Sequence, residues 1–210
     1  MIKVYGNIHT RAFRVLWLLE ELNLEYQHIP INFKEQEHRS DWFLKINPLG
    51  KVPAVEIDNL LMFESAAIIT TLCERYAKGS LIPDEKVDPD QKANYLQWMF
   101  FIMSELDASL WTLAKHKFAY PKELRCAEAR PGAIRDFTKS IKVIEEHLAK
   151  PNYPYMLGKH FSAVDLLLTT IITWTKILKI QDLVPLNIQR WSKLQIQRPA
   201  FKKASLASQA

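Results

Sequence analysis

The chain reads as an α/β unit followed by an all-helical one, and two observations predict that division. Over residues 1–78 the apolar pattern runs β-α-β-(α)-β-β-α, the order of a compact α/β unit. From Gly79 to Pro89 the composition turns to Gly, Ser, Pro and acids, and beyond it no strand pattern persists. With 210 residues and 48% hydrophobic content, both parts can bury a core. The expected domains are therefore residues 1–78 and 88–210.

Ile2 and Val4 mark a short strand that Gly6-Asn7 stops. Ala12 to Leu22 follows as a helix, with Phe13, Leu16, Trp17 and Leu19 on a wide apolar face and Thr10 placed to cap its start. Glu25 to Ile31 alternates as a second strand, and Asp41 to Ile46 makes a helical turn. Val52–Ile57 and Leu60–Phe63 form a hairpin turning at Asp58-Asn59. Ser65 to Ala77 closes the unit as a helix. Helical spacing then covers Gln91–Lys115, Pro121–Ala149, Ser162–Lys179 and Leu186–Gln197, leaving Ser205–Ala210 as a loosely held tail.

The net charge of +5 is spread along the chain beside Glu and Asp, with no basic run interleaved with aromatics. That pattern reads as solvated basic faces, and no nucleic-acid partner is expected. No segment reaches the roughly 18 apolar residues of a membrane span, and the N-terminus lacks a signal-like apolar run. The two cysteines, Cys73 and Cys126, fall in helical patterns and suggest a reducing, cytoplasmic setting. No membrane partner and no metal are expected.

The most informative stretch is Asn47 to Ser65. Pro53 cannot donate to a sheet ladder, so it belongs at a strand start or bend, and it pushes Val52 into an extended conformation. The Val52 backbone is then available to pair with an extended ligand. Glu64 and Ser65 open the next helix, whose N-terminus offers unpaired N–H groups and a positive dipole end. Together these features suit a peptide-like anion.

Four motifs, in order, give the chain a resemblance to the glutathione transferases over nearly its whole length. The first is Tyr5-Gly6 followed by Thr10-Arg11-Ala12-Phe13-Arg14-Val15-Leu16-Trp17 and Glu20-Glu21. The second is Glu37-His38-Arg39-Ser40 ahead of Phe43-Leu44-Lys45-Ile46-Asn47-Pro48. The third joins Gly50-Lys51-Val52-Pro53 to Phe63-Glu64-Ser65-Ala66-Ala67-Ile68, and the fourth is Leu157-Gly158-Lys159-His160-Phe161-Ser162-Ala163-Val164-Asp165. The sequence after Gly6 resembles the serine-type pattern of bacterial, phi-like and delta-like members, with Thr where serine is familiar.

The resemblance implies a thioredoxin-like N-terminal domain, an all-α helical-bundle C-terminal domain, a cis Pro53 and a homodimer. Glutathione is the implied co-substrate. Val52 would pair with its cysteinyl part like an added strand. Glu64 would take the ammonium of the γ-glutamyl end, and Ser65 with the helix N-terminus its carboxylate. Lys51 and one of His38 or Arg39 would meet the glycine carboxylate. Thr10 stands where serine-type members keep the hydroxyl that activates the thiol, with Tyr5 and His9 as rival donors. Ser162 and Asp165 fit a capping box, with Phe161 preceding as a staple, which is a folding signal rather than chemistry.

No cysteine lies between Gly6 and Phe13, which counts against a glutaredoxin-like thiol nucleophile. The implied reaction is attack of the activated thiol on an apolar electrophile, a detoxifying transfer. Peroxide reduction or isomerisation on the same site, and a non-catalytic binding or regulatory role, are the alternatives. Met99 to Leu113 is rich in Met, Phe and Trp, and with Trp111, His116 and Phe118 it fits either an apolar second-substrate pocket or, the commoner role of such aromatics, core and dimer contacts.

Overall fold

The computed structural model describes residues 1–207, which group into two compact units. The first spans Met1–Ile82 and takes back the chain from Ile196 onward; the second is Pro83–Gln195.

The first unit is built on a four-stranded mixed sheet in the order β2-β1-β3-β4. Its strands are β1 (Ile2–Tyr5), β2 (Gln27–Ile29), β3 (Ala54–Ile57) and β4 (Leu60–Phe63). β1 runs parallel to β2, while β3 is antiparallel to both β1 and β4. Strand alternation sorts the side chains onto two faces. Ile2, Val4, Val55 and Ile57 are all buried on one. On the other, Tyr5 and Ala54 pack with Ile31 and Phe43.

Helix α1 (Ala12–Glu21) connects β1 to β2, α2 (Asp41–Ile46) supplies Phe43, and α3 (Ser65–Tyr76) packs against α1. The second strand is shorter than Glu25–Ile31 because only residues 27–29 find register partners, opposite Lys3, Val4 and Tyr5.

The second unit is entirely helical. A nearly continuous run begins with α4 (Pro89–Phe101), widens into a π-helical turn at Ile102–Asp107, continues as α5 (Ala108–Ala114) and widens again at Lys115–Ala119. It is followed by α6 (Ala129–Leu148), α7 (Ala163–Leu178) and α8 (Leu186–Gln195). α7 is buried at every position from Ala163 to Ile172, as expected for a central helix apolar all round. None of the helices among the described residues is long and apolar enough to cross a membrane.

The capping box at the start of α7 forms as its sequence implies. The Asp165 carboxylate accepts the Ser162 N–H at 2.8 Å and the Ser162 hydroxyl at 2.7 Å. It also accepts the Met156 N–H at 2.7 Å, while His147 Nε2 meets the Met156 carbonyl at 2.8 Å. The turn before the helix is therefore held from both sides of one residue. Burial pushes the Asp165 carboxyl up to about 6, against hydrogen bonds that favour its ionised form.

Two expected boundaries differ. The helix expected from Pro121 begins at Ala129 instead, because residues 121–128 are all exposed and have no face to bury. Arg125 holds that stretch as a loop by donating to the carbonyls of Phe118 and Tyr120. Where a continuous C-terminal helical domain was expected to run to residue 210, a separate helix α9 (Pro199–Leu206) groups with the first unit. Ser205 and Leu206 of the expected tail belong to this helix, and residues 208–210 lie outside the described residues.

Candidate functional site

Sheet register brings the candidate segments to one place. Tyr5 and Phe63 both pair with Ala54 at the same end of the sheet. The chain leaves β1 into Gly6, enters β3 from Val52–Pro53 and leaves β4 into Glu64–Ser65, all at that end. Three segments far apart in sequence therefore converge on one edge.

The Val52–Pro53 bond is cis. Its approach is set by Asn47, only 2% exposed, whose amide donates to the Lys51 carbonyl at 2.7 Å. The Asn47 Oδ1 accepts the Leu49 N–H at 3.1 Å, and the Asn47 carbonyl accepts the Gly50 N–H at 2.8 Å. One buried amide thus shapes the loop that presents Lys51 and Val52. The Asn-Pro-x-Gly turn was its signal in the sequence.

Gly6 closes the other side of this edge. Its φ of +134° disfavours any side chain, and a Cβ there would lie 2.7 Å from the Ala12 Cβ and 2.9 Å from the Val52 Cβ. The start of α1 and the Val52–Pro53 turn are therefore packed directly against Gly6. His28 Nε2 lies 2.7 Å from the Gly6 carbonyl, and the Ile29 carbonyl accepts the Gly6 N–H at 3.0 Å.

Thr10 stands at the mouth of α1, half-buried. Its hydroxyl donates to the Asn7 carbonyl at 2.6 Å and accepts the Ala12 N–H at 3.1 Å. The hydroxyl thus tightens the turn into α1, although the N-cap itself is Arg11, one residue later than the sequence reading expects, and it makes no side-chain capping bond. Tyr5 is occupied elsewhere: 6% exposed, it rests against Trp42 and Phe43 and donates to Glu56 Oε2 at 3.2 Å. Burial, then the negative charge of Glu56, raises its phenol above the ordinary value. His9 is exposed.

Glu64 and Ser65 form the entrance to α3. Glu64 adopts φ 71°, ψ 104°, a conformation rare for a residue with a side chain, and its exposed carboxylate makes no capping bond to the helix. Ser65 is buried, and its hydroxyl oxygen accepts a hydrogen bond from Arg14 at 3.0 Å. Arg14 was not singled out by sequence reasoning. Its signal was a charged residue inside the run Ala12–Leu19, where only it and the half-buried Phe13 interrupt buried apolar positions.

His38 and Arg39 sit in a short 3-10 turn against the Gly50 loop. Arg39 donates to the Leu49 carbonyl at 3.3 Å, and a Cβ on Gly50 would meet the His38 carbonyl at 2.5 Å. This turn therefore stands beside Lys51. His38 Nδ1 is buried without a hydrogen-bond partner among the described residues, and burial, with the neighbouring Arg39 charge, lowers the pKa of its ring. Among the described residues, no group of three or more His, Cys, Asp or Glu stands close enough together to hold a metal ion.

In the second unit, Leu110 and Leu113 are core and Trp111 is half-buried, whereas Phe118 is exposed. His116 Nδ1 accepts the Cys126 N–H at 3.0 Å, and the Cys126 thiol donates to Glu128 at 3.2 Å.

Comparison with known proteins agrees with this geometry. Residues 1–71 match the family model described as glutathione S-transferase, N-terminal domain. The glutathione S-transferase hmp2 of Hypomyces subiculosus is 31% identical over 173 residues, covering 79% of this chain and 78% of that protein. The crystal structure of glutathione transferase F7 from Populus trichocarpa superposes with a TM-score of 0.84 at 24% identity, covering 98% of each chain. A glutathione transferase from Pseudomonas putida, with one glutathione disulfide bound per subunit, superposes with a TM-score of 0.83 at 23% identity over 97% of this chain and 90% of that one. The N-terminal unit thus has the thioredoxin-like fold of these neighbours, and the chain belongs to the glutathione transferase family.

Proposed function

We propose that this enzyme binds glutathione at the edge where Gly6, Pro53 and Glu64 converge, and directs its thiolate at an electrophilic carbon of an apolar co-substrate. The observation that carries this reading is the shared sheet end, which sets a bent strand start beside an open helix N-terminus. An extended tripeptide with a carboxylate at each end matches that pairing.

In this reading, the Val52 backbone pairs with the cysteinyl part of glutathione. Glu64 meets the γ-glutamyl ammonium, and its rare backbone conformation is the kind of strain that persists where a side chain must be aimed at a ligand. Ser65 and the N-terminus of α3 take the γ-glutamyl carboxylate. Lys51, with His38 or Arg39 beside it, meets the glycine carboxylate. The unpartnered His38 Nδ1 and the bond from Arg39 to Leu49 favour Arg39 as part of the loop scaffold and His38 as a ligand contact.

Thr10 is the proposed thiolate partner. A free cysteine thiol has a pKa of ~8.5, so little of it is ionised at neutral pH. A hydrogen bond to a charged acceptor is worth roughly 1.5–3 kcal/mol, equivalent to about one to two pKa units. The Thr10 proton, held by the neutral Asn7 carbonyl in the ligand-free chain, turns to the thiolate because a charged acceptor is the stronger one. The sulfur then forms a bond to the electrophilic carbon, and the electron pair displaced there leaves with the departing group. Proximity and thiolate stabilisation carry the rate, without a metal.

The exposed apolar residues Leu61 and Phe63 on the edge strand β4 support assembly as a homodimer. Neither Cys73 nor Cys126 is in a disulfide, which supports a cytoplasmic setting. Retention of the full chain on immobilised glutathione, with elution by free glutathione, tests the binding reading. Passage through the column unretained would refute it.

A further inference from the structure

Thr10 does not hold its place alone. The register of β1 with β2 ends at Tyr5 and Ile29, and Gly6 then turns the backbone away at its positive φ. One residue later the Asn7 side chain continues the pairing in place of the backbone. Its Nδ2 donates to the Ile31 carbonyl at 3.0 Å, and its Oδ1 accepts the Ile31 N–H at 2.7 Å. Ile31 is buried with Tyr5, Phe43 and Ala54, so this two-bond clamp fastens the turn after β1 to the core. A carboxamide, with a donor and an acceptor side by side, suits the N–H and C=O of a single residue.

What the clamp fixes is a carbonyl. The Asn7 main-chain oxygen accepts the Thr10 N–H at 3.0 Å and the Thr10 hydroxyl at 2.6 Å, which occupies both of its lone pairs. The hydroxyl in turn accepts the Ala12 N–H at 3.1 Å. Thr10 Oγ1 is thus held between two backbone groups, on a β-branched side chain with few torsions open to it.

We infer that Asn7 is a positioning residue for thiolate activation, acting through Thr10. By fixing the carbonyl against which the Thr10 hydroxyl rests, it sets the direction from which that proton swings to the sulfur. A donor already oriented pays little reorganisation when the charged acceptor arrives. Resting on the glutathione reading and its Thr10 donor, this role deepens both: Asn7 touches Thr10 and not the ligand.

The test is a double-mutant cycle on the full chain, read as the thiol pKa of bound glutathione from its thiolate absorbance. S-Methylglutathione, which has no thiol to ionise, serves as the second ligand. Asn7→Ala raises the bound thiol pKa by about half a unit to one unit, a part of what loss of the Thr10 hydroxyl itself removes. It changes the Kd for S-methylglutathione less than about twofold. In the Thr10→Ala background, Asn7→Ala leaves the pKa where Thr10→Ala puts it, since no hydroxyl remains to be positioned.

An unmoved thiol pKa in folded Asn7→Ala overturns the inference. So does an equal shift with and without the Thr10 hydroxyl, or a larger loss of S-methylglutathione affinity, because either marks a general disturbance of the edge. If circular dichroism shows Asn7→Ala unfolded, Asn7→Ser, a turn-forming residue too short to meet both Ile31 groups, decides in its place. If Thr10→Ala alone leaves the pKa unmoved, the Thr10 donor fails and this role with it. Glutathione that does not bind at all refutes the binding reading instead.

Discussion

Arg198 grips Glu21 through two hydrogen bonds, Nε to Oε1 at 2.6 Å and Nη2 to Oε2 at 2.8 Å, across 177 residues of sequence. The same Glu21 carboxylate accepts the Trp17 indole N–H at 2.9 Å. Phe201, one turn along α9 from Arg198, meets the rings of Phe13 and Trp17 edge-on, and Lys203 pairs with Glu20 at 2.7 Å. The last helix is thereby fastened to the outer face of α1, the helix that carries Arg14 and follows the turn at Thr10.

Loss of this fastening lowers stability. Glu21 is nearly buried while Arg198 is about a third exposed, so the pair counts for less than a fully buried one. Arg198→Ala is expected to cost about 1–3 kcal/mol, because it leaves a desolvated carboxylate short of donors. Urea denaturation of the full chain measures this, and an unchanged midpoint would show that α9 docks through its aromatic contacts alone.

Gly6→Ala attacks the edge where the candidate site assembles. The new methyl meets both Ala12 and Val52 at under 3.0 Å, and φ of +134° strains the backbone as well. A loss of about 1–3 kcal/mol is expected from overpacking and strain. Glutathione affinity should fall with it, since Val52 has to move. A variant as stable as the parent that binds glutathione normally would contradict the packing described.

For Thr10 the measurement is the thiolate absorbance of bound glutathione as pH is varied. Thr10→Ala should raise the bound thiol pKa by about one to two units, whereas Thr10→Ser preserves it. Tyr5→Phe should leave it unmoved, because the Tyr5 hydroxyl serves Glu56. An unmoved value in Thr10→Ala would remove Thr10 from the chemistry and leave it only the turn into α1.

Asp165 lends itself to a pH test. Its folded carboxyl titrates near 6, above an ordinary value of 3.8, so the folded state holds the proton more tightly than the unfolded one. Stability from this group is therefore fully present below about pH 4 and lost as pH rises through about 6. Asp165→Asn removes the dependence, so the parent's advantage over that variant should shrink across this window. Asp165→Ala, which strands the Met156 and Ser162 N–H groups, is expected to cost about 2–4 kcal/mol at pH 7.

Much of this molecule was legible in the order of its residues because the controlling forces are local. The bend at Val52–Pro53, the start of α3 at Ser65 and the capping box at Ser162 each depend on a few neighbouring side chains. Their identity announces their conformation. Thr10 likewise takes its place in the turn into α1, as its position before an apolar helix suggests.

Other features depended on partners distant in the chain. Arg14 looks like an interruption of an apolar face until α3 brings Ser65 to it. Tyr5 looks like a possible thiol donor until pairing of β1 with β3 sets Glu56 within reach of its hydroxyl. A side chain's role there depends on which face its strand buries and which residue arrives opposite.

By itself, the sequence determined the two-part architecture and the conformation of the segments proposed to meet the ligand, because periodicity, proline and helix-capping chemistry act within a few residues. Only the tertiary structure decided that α9 returns to the first unit. Only it, too, joined Arg14 to Ser65 and Gly6 to Val52. Those pairings rest on burial and hydrogen bonding between surfaces that no local pattern brings together.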